Sequence, residues 1–146
     1  MSDKLSIISE YLNTNKIDDA YEYCQSWLNV EPSNPQACHT MALLLIKRKM
    51  HSQAIDYFHK AIKFLPGEAS FHTNIANTYK YLGALQNAEI HYKQALNLNP
   101  NATLSYNNLG ALYYTQGKYD NAMLLFEKSL RLSPNNWETH CNLANC

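Results

Sequence analysis

The sequence predicts an all-α protein, a solenoid of tandem helix-turn-helix repeats. Two observations carry that expectation: a fixed period in the punctuating residues, and a helical spacing of apolar residues inside each period. Pro32, Pro66, Pro100 and Pro134 stand 34 residues apart. In the same register run Ala20, Ala54, Ala88 and Ala122, and, four residues after each, Cys24, Phe58, Tyr92 and Phe126. A period of this length is the mark of stacked supersecondary units, each of which needs its neighbours to bury its apolar face.

The period divides residues 1–146, taken as one repeat domain, into blocks 1–34, 35–68, 69–102 and 103–136, with a partial block at 137–146. Each block reads as two helices. In the first, the eighth position is Ile8, Ala42, Ala76, Gly110 and Ala144, and the eleventh is Tyr11, Leu45, Tyr79 and Tyr113. Leu109, Leu112 and Tyr113 lie three and four apart, as do Ala122, Leu125, Phe126, Ser129 and Leu130, which is the stripe of an amphipathic helix. Gly83 and Gly117 supply the break between the two helices. Ser33, Asn34, Asn101 and Asn135 are capping-type residues where a new block begins, and Pro35 suits a first helical turn. The first block is the least regular, with Lys4 and Ile8 at positions that favour other residue types, as is common for a terminal repeat. Leu143 and Ala144 fall at interface positions with no second helix after them, so the expectation is of a fragment of a longer protein or of an edge covered by a partner.

Composition excludes several classes of function. Hydrophobic residues make up 46% of the chain, against four glycines and five prolines, which suits a folded core. Twelve basic and twelve acidic residues cancel, so no broad field draws nucleic acid or an anionic membrane, and neither is an expected partner. The basic run Lys47-Arg48-Lys49 is too short to change this. No apolar run resembles a secretion signal or membrane span, and Cys24, Cys38, Cys141 and Cys146 lack the spacing of a disulfide framework. A cytoplasmic location is the resulting expectation. No catalytic residue, metal ligand set or cofactor site is expected: there is no Cys-x2-Cys, no His-Glu-x2-His and no Gly-rich phosphate loop. Cys38-His39 and His140-Cys141 are adjacent pairs whose members leave a helix in different directions, so neither pair chelates alone.

Residues 103–136 nearly meet a known pattern, Trp-x2-Leu-Gly-x2-Tyr, then Ala-x3-Phe, then Pro, through Tyr106, Leu109, Gly110, Tyr113, Ala122, Phe126 and Pro134. The chain thus resembles the tetratricopeptide repeats, with Cys38, His72 and His140 departing from the large aromatic residue of the pattern. That resemblance implies a right-handed α-solenoid whose first helices line a concave groove, with positions 2, 5, 6, 9, 12 and 13 of each block facing inward. Position 6 holds Asn74, Asn108 and Asn142, and position 9 adds Asn77 and Asn145. A side-chain amide offers both a donor and an acceptor, so such a ladder suits the backbone of an extended peptide. It resembles the asparagine ladder of O-linked N-acetylglucosamine transferases. The alternative is that the asparagines solvate the surface or bond between adjacent helices. Asn107 at position 5, and Tyr81 and Tyr114 near the ends of first helices, complete the candidate groove, the tyrosines serving either as contacts or as packing.

A second family use, gripping a C-terminal carboxylate, calls for cations that are missing: the corresponding residues are Thr73, Asn77, Asn108, Glu138 and Asn142. The expected role is therefore a non-enzymatic scaffold or adaptor that binds a protein or an extended peptide. The alternatives are a substrate-recruiting region of a larger enzyme such as a glycosyltransferase, and self-association through the open C-terminal edge.

Overall fold

The computed structural model describes residues 2–146, which form nine α-helices and no strand. They are α1 (Ser2–Asn13), α2 (Ile17–Val30), α3 (Pro35–Lys47), α4 (His51–Phe64), α5 (Ala69–Tyr81), α6 (Leu85–Leu98), α7 (Thr103–Thr115), α8 (Tyr119–Leu132) and α9 (Trp137–Ala144). From α3 onward each block opens its first helix at its first residue, as the period predicts. The result is an all-α helical-repeat solenoid in which α1 to α4 belong to one compact unit, Met1–Gly67, and α5 to α9 to a second, Glu68–Cys146.

In the first unit the pairs α1/α2 and α3/α4 pack around Ala20, Cys24, Met41, Leu45, Ala54 and Phe58, all fully buried. In the second, Ala76, Ala88, Tyr92, Leu109 and Leu112 form one core, and Tyr79, Leu85, Leu96, Tyr113 and Leu125 pack against it. Position 24 supplies the large side chain in every complete block after the first, and burying Phe58, Tyr92 or Phe126 contributes roughly 1.5–3 kcal/mol each. In the fourth block position 8 must be small because α8 comes close, although the first block buries Ile8 there. A Cβ added to Gly110 would lie 2.7 Å from Cε1 of Phe126.

The turn between paired helices has one recurrent conformation. Position 15 is left-handed in every complete block: Asn15 at φ 58°, Lys49 at 62°, Gly83 at 76° and Gly117 at 72°. Sequence reading found the two glycines and missed the other two, because only glycine announces a positive φ by its identity. Asn34 caps α3 as expected, but capping elsewhere differs from expectation. The caps sit at position 34 and not at 33: Asn34 accepts from the Ala37 amide at 3.0 Å, Glu68 from Ser70 at 3.2 Å and Asn136 from Thr139 at 3.1 Å. Ser33, Asn101 and Asn135 therefore cap nothing, and α7 starts from Ala102 with no side-chain cap.

Two of the departures from the repeat pattern are accommodated differently. His72 is buried, and its Nδ1 lies 3.1 Å from Nδ1 of His91 on α6. His140 is exposed, and its Nε2 donates to the Pro134 carbonyl at 2.8 Å.

Candidate functional site: the asparagine-bearing face of α5, α7 and α9

All eight candidate residues fall in the second unit. Positions 6 and 9 lie three apart and share a helix face. Thus Asn74 and Asn77 stand together on α5, and Asn142 stands on α9 with Asn145 just past the helix end. On α7, Asn108 occupies the matching face and Ala111 stands at position 9.

The amides do not stack as a free-standing ladder. Asn108 Nδ2 donates to Asn77 Oδ1 at 3.0 Å, and Asn142 Nδ2 donates to Asn107 Oδ1 at 3.1 Å. Each of these position-6 asparagines is therefore tied to the first helix of the preceding block, so bonding between adjacent helices, one of the two sequence readings, holds for this pair. Asn77 Oδ1 also accepts the phenol hydrogen of Tyr92 at 2.5 Å, so its oxygen is fully occupied and its amide nitrogen is left as the outward group. Burial pushes the Tyr92 hydroxyl above the usual phenol range, which keeps it a donor.

Asn107 must be reassigned. It is 2% exposed, so no ligand reaches it, and its role is to receive the Asn142 amide. Position 5 faces partly into the α5/α7/α9 packing: one block earlier Thr73 Oγ1 lies 2.7 Å from Ser105 Oγ, another bond between α5 and α7. Tyr81, at the end of α5, is 72% exposed. Tyr114 is partly exposed and meets Tyr119 edge-on, with ring centroids 5.3 Å apart. Asn74 is half-buried and lines a hollow of about 410 Å³ with Ser70, Thr73, Thr103 and Leu104. Leu104 is 64% exposed and offers that hollow an apolar wall.

Electrostatically the face is close to neutral. Burial holds the Lys80 ammonium below the usual lysine range, and the Glu138 carboxylate, from the last block, acts in the opposite direction. No group of three or more His, Cys, Asp or Glu side chains is placed to hold a metal among the described residues. Nor is any described helix long and apolar enough to cross a membrane.

A row of first helices that presents a polar, partly preorganised face, backed by second helices, defines a helical-repeat scaffold of the protein-binding kind. More specifically, part of the second unit matches tetratricopeptide-repeat models: the family model described as Tetratricopeptide repeat matches residues 104–136, and a model described as TPR repeat matches residues 76–117. Solved structures agree on the fold. The Pseudomonas aeruginosa pilF structure is similar with a TM-score of 0.91 at 21% identity, covering 99% of this chain and 66% of that one. The crystal structure of MamA gives a TM-score of 0.85 at 18% identity over 95% of this chain and 81% of that one. The first TPR of Spaghetti, bound to the HSP90 peptide SRMEEVD, gives a TM-score of 0.74 at 27% identity over 77% of this chain and 89% of that one. A search of curated proteins finds no significant match.

Proposed function

We propose that the face formed by α5, α7 and α9 binds an extended segment of another protein, chiefly through that segment's peptide backbone. The observation that carries this reading is the division of labour within Asn108 and Asn142. One N–H of each ties it to the preceding first helix, and the second N–H and Oδ1 have no partner among the described residues. A peptide unit presents one donor and one acceptor, which this remaining pair matches. The tie also fixes the side chain before a ligand arrives, so less rotamer freedom is lost on binding. Tyr81 and Tyr114 flank the row as aromatic anchors, and Asn74, Asn77 and Asn145 extend it.

The peptide of the Spaghetti complex does not carry over by its terminus. Thr73 and Glu138 stand where a terminal carboxylate calls for cations, and a carboxylate beside Glu138 meets like charge. The ligand's interior is therefore the better fit. The test is an amide-to-ester scan of a peptide selected on this chain from a random array. Replacing single backbone N–H groups by ester oxygen should weaken binding at alternating positions, whereas alanine scanning of the peptide should cost less except at the tyrosine contacts. Binding that survives every ester and collapses on side-chain truncation would overturn the reading.

A further inference from the structure

Tyr106, Leu109 and Tyr113 leave α7 on roughly the opposite side from Asn108, at the positions that pack toward the second helices. There, between α6 and α8, the structure contains an open cavity of about 670 Å³. Its floor is those three side chains, and its walls are Leu96 of α6 and Leu124 and Leu125 of α8. A second hollow of about 560 Å³ continues from it past Pro100 toward Arg131 and Leu132, and the two share Pro100, Leu124 and Lys128. Together they make a trough along α8 that is apolar below and basic above.

The basic rim is specific. Lys128 Nζ lies over the Tyr106 ring, 4.8 Å from its centroid, and forms no ion pair among the described residues. Lys118 Nζ lies over Tyr113 at 5.1 Å. Lys93 and Arg131 lean on Glu89 and Glu127 of their own helices, at 2.7 and 3.8 Å. Leu124 rises between the two hollows and is 66% exposed, a large apolar side chain with nothing to cover it inside the unit. Lys93, Lys128 and Arg131 line the trough, and Lys118 stands outside the lining over Tyr113; against Glu89 and Glu127 they leave an excess of positive charge, and an apolar channel beneath excludes a fully polar ligand.

We propose that this trough is a second docking site, independent of the asparagine face, that takes an acidic amphipathic helix from a partner protein. Apolar residues of such a helix at i, i+3 or i+4, and i+7 lie in the trough on either side of Leu124, while glutamates or aspartates beside them meet Lys93, Lys118, Lys128 and Arg131. The length of the paired hollows favours a helix over a compact small molecule, and the rim charge selects acidic over basic helices.

The probe is a fluorescein-labelled peptide of about 15 residues with leucines at i, i+4 and i+7 flanked by glutamates, and its control carries lysines in place of the glutamates. Fluorescence anisotropy and amide chemical-shift mapping follow binding to the whole chain. The glutamate peptide should shift residues of α6 and α8, bind more weakly as salt rises, and lose about tenfold in affinity on Lys128→Glu and on Leu124→Ser, both exposed positions that leave the core intact. Asn108→Ala should leave this binding unchanged, which separates the trough from the asparagine face. Equal binding of both peptides, shifts confined to α5 and α7, or saturation of the trough by decanoate with no response to the glutamate peptide would each overturn the proposal.

Discussion

Asn107 and Asn142 share one hydrogen bond, yet only Asn142 is open to a ligand, and that asymmetry separates structure from recognition. Removing either side chain deletes the 3.1 Å bond between α7 and α9. A neutral hydrogen bond of this kind contributes about 1 kcal/mol net. Asn142→Ala also strands the buried Asn107 oxygen, which adds about 1–3 kcal/mol of desolvation cost. Asn107→Ala leaves a small buried cavity instead, and the freed Asn142 amide is open enough to turn to water. The two variants should therefore lose comparable stability in urea titration. Their binding should differ. If the free N–H and Oδ1 of Asn142 each bond a ligand backbone group, Asn142→Ala forfeits about 2 kcal/mol, or roughly 30-fold in Kd. Asn107→Ala should change Kd by less than about threefold, since it alters only the rigidity of the contact. Fluorescence anisotropy with an array-selected peptide decides the matter. Equal affinity losses would mean that the asparagines act through helix packing, and the backbone-recognition reasoning would fall.

Three further perturbations test how the repeats are built. Gly110→Ala gains about 1 kcal/mol of helix propensity but drives a methyl to 2.7–3.1 Å from the buried Phe126 ring, at a cost of about 1–3 kcal/mol, so thermal unfolding should show a net loss that Phe126→Leu partly relieves. Lys49→Gly should stabilise by up to about 1 kcal/mol by removing a left-handed lysine, whereas Asn15→Gly should gain less because asparagine tolerates that conformation; equal gains in denaturant midpoint would argue against the strain. The Lys93 hydrogen bond, with Tyr113 as a second donor, holds the Glu89 carboxyl below the usual glutamate range. A depressed folded value stabilises the fold above the ordinary glutamate pKa of about 4.3 and loses that contribution as pH falls through the folded value, so Lys93→Met should move the Glu89 titration upward by NMR and flatten the acid limb of stability.

The repeat was legible because its signals are categorical. Proline at position 32 cannot continue a helix, alanine at position 20 fits a close crossing, and the residue at position 24 fills the space beside it, so period and helix pairs follow from residue identity alone. Conformation without a dedicated residue type was not legible. Lys49 adopts the same left-handed turn as Gly83, and Glu68 caps α5 although a search for Ser, Thr, Asp and Asn passes over it. The candidate face was legible at the level of which helix side Asn74, Asn77, Asn108 and Asn142 occupy, whereas Asn107, expected in the groove, is buried. Which atom of each amide is taken was not, because the bonds join residues 31 and 35 apart in sequence, through pairings that the period alone does not specify.

The trough was missed for a different reason. Attention to the first helices follows from the expected groove, and the second helices then serve only as packing. Position 22, however, carries Glu22 and Asp56 in the first two blocks and Ile90 and Leu124 in the next two. That change from acidic to apolar on an outward position is a signal in the sequence itself, since the repeat's core does not require it. Ile90 and Leu124 are both largely exposed, as the change implies. A repeat protein whose core is met by positions 4, 7, 8, 11, 20, 24 and 27 has no internal use for a leucine at position 22, so an external use is the physical expectation, and the cations around Leu124 state its sign. The two faces of α7 then carry different chemistry on one helix: neutral amides on one side, and an apolar channel under lysines on the other.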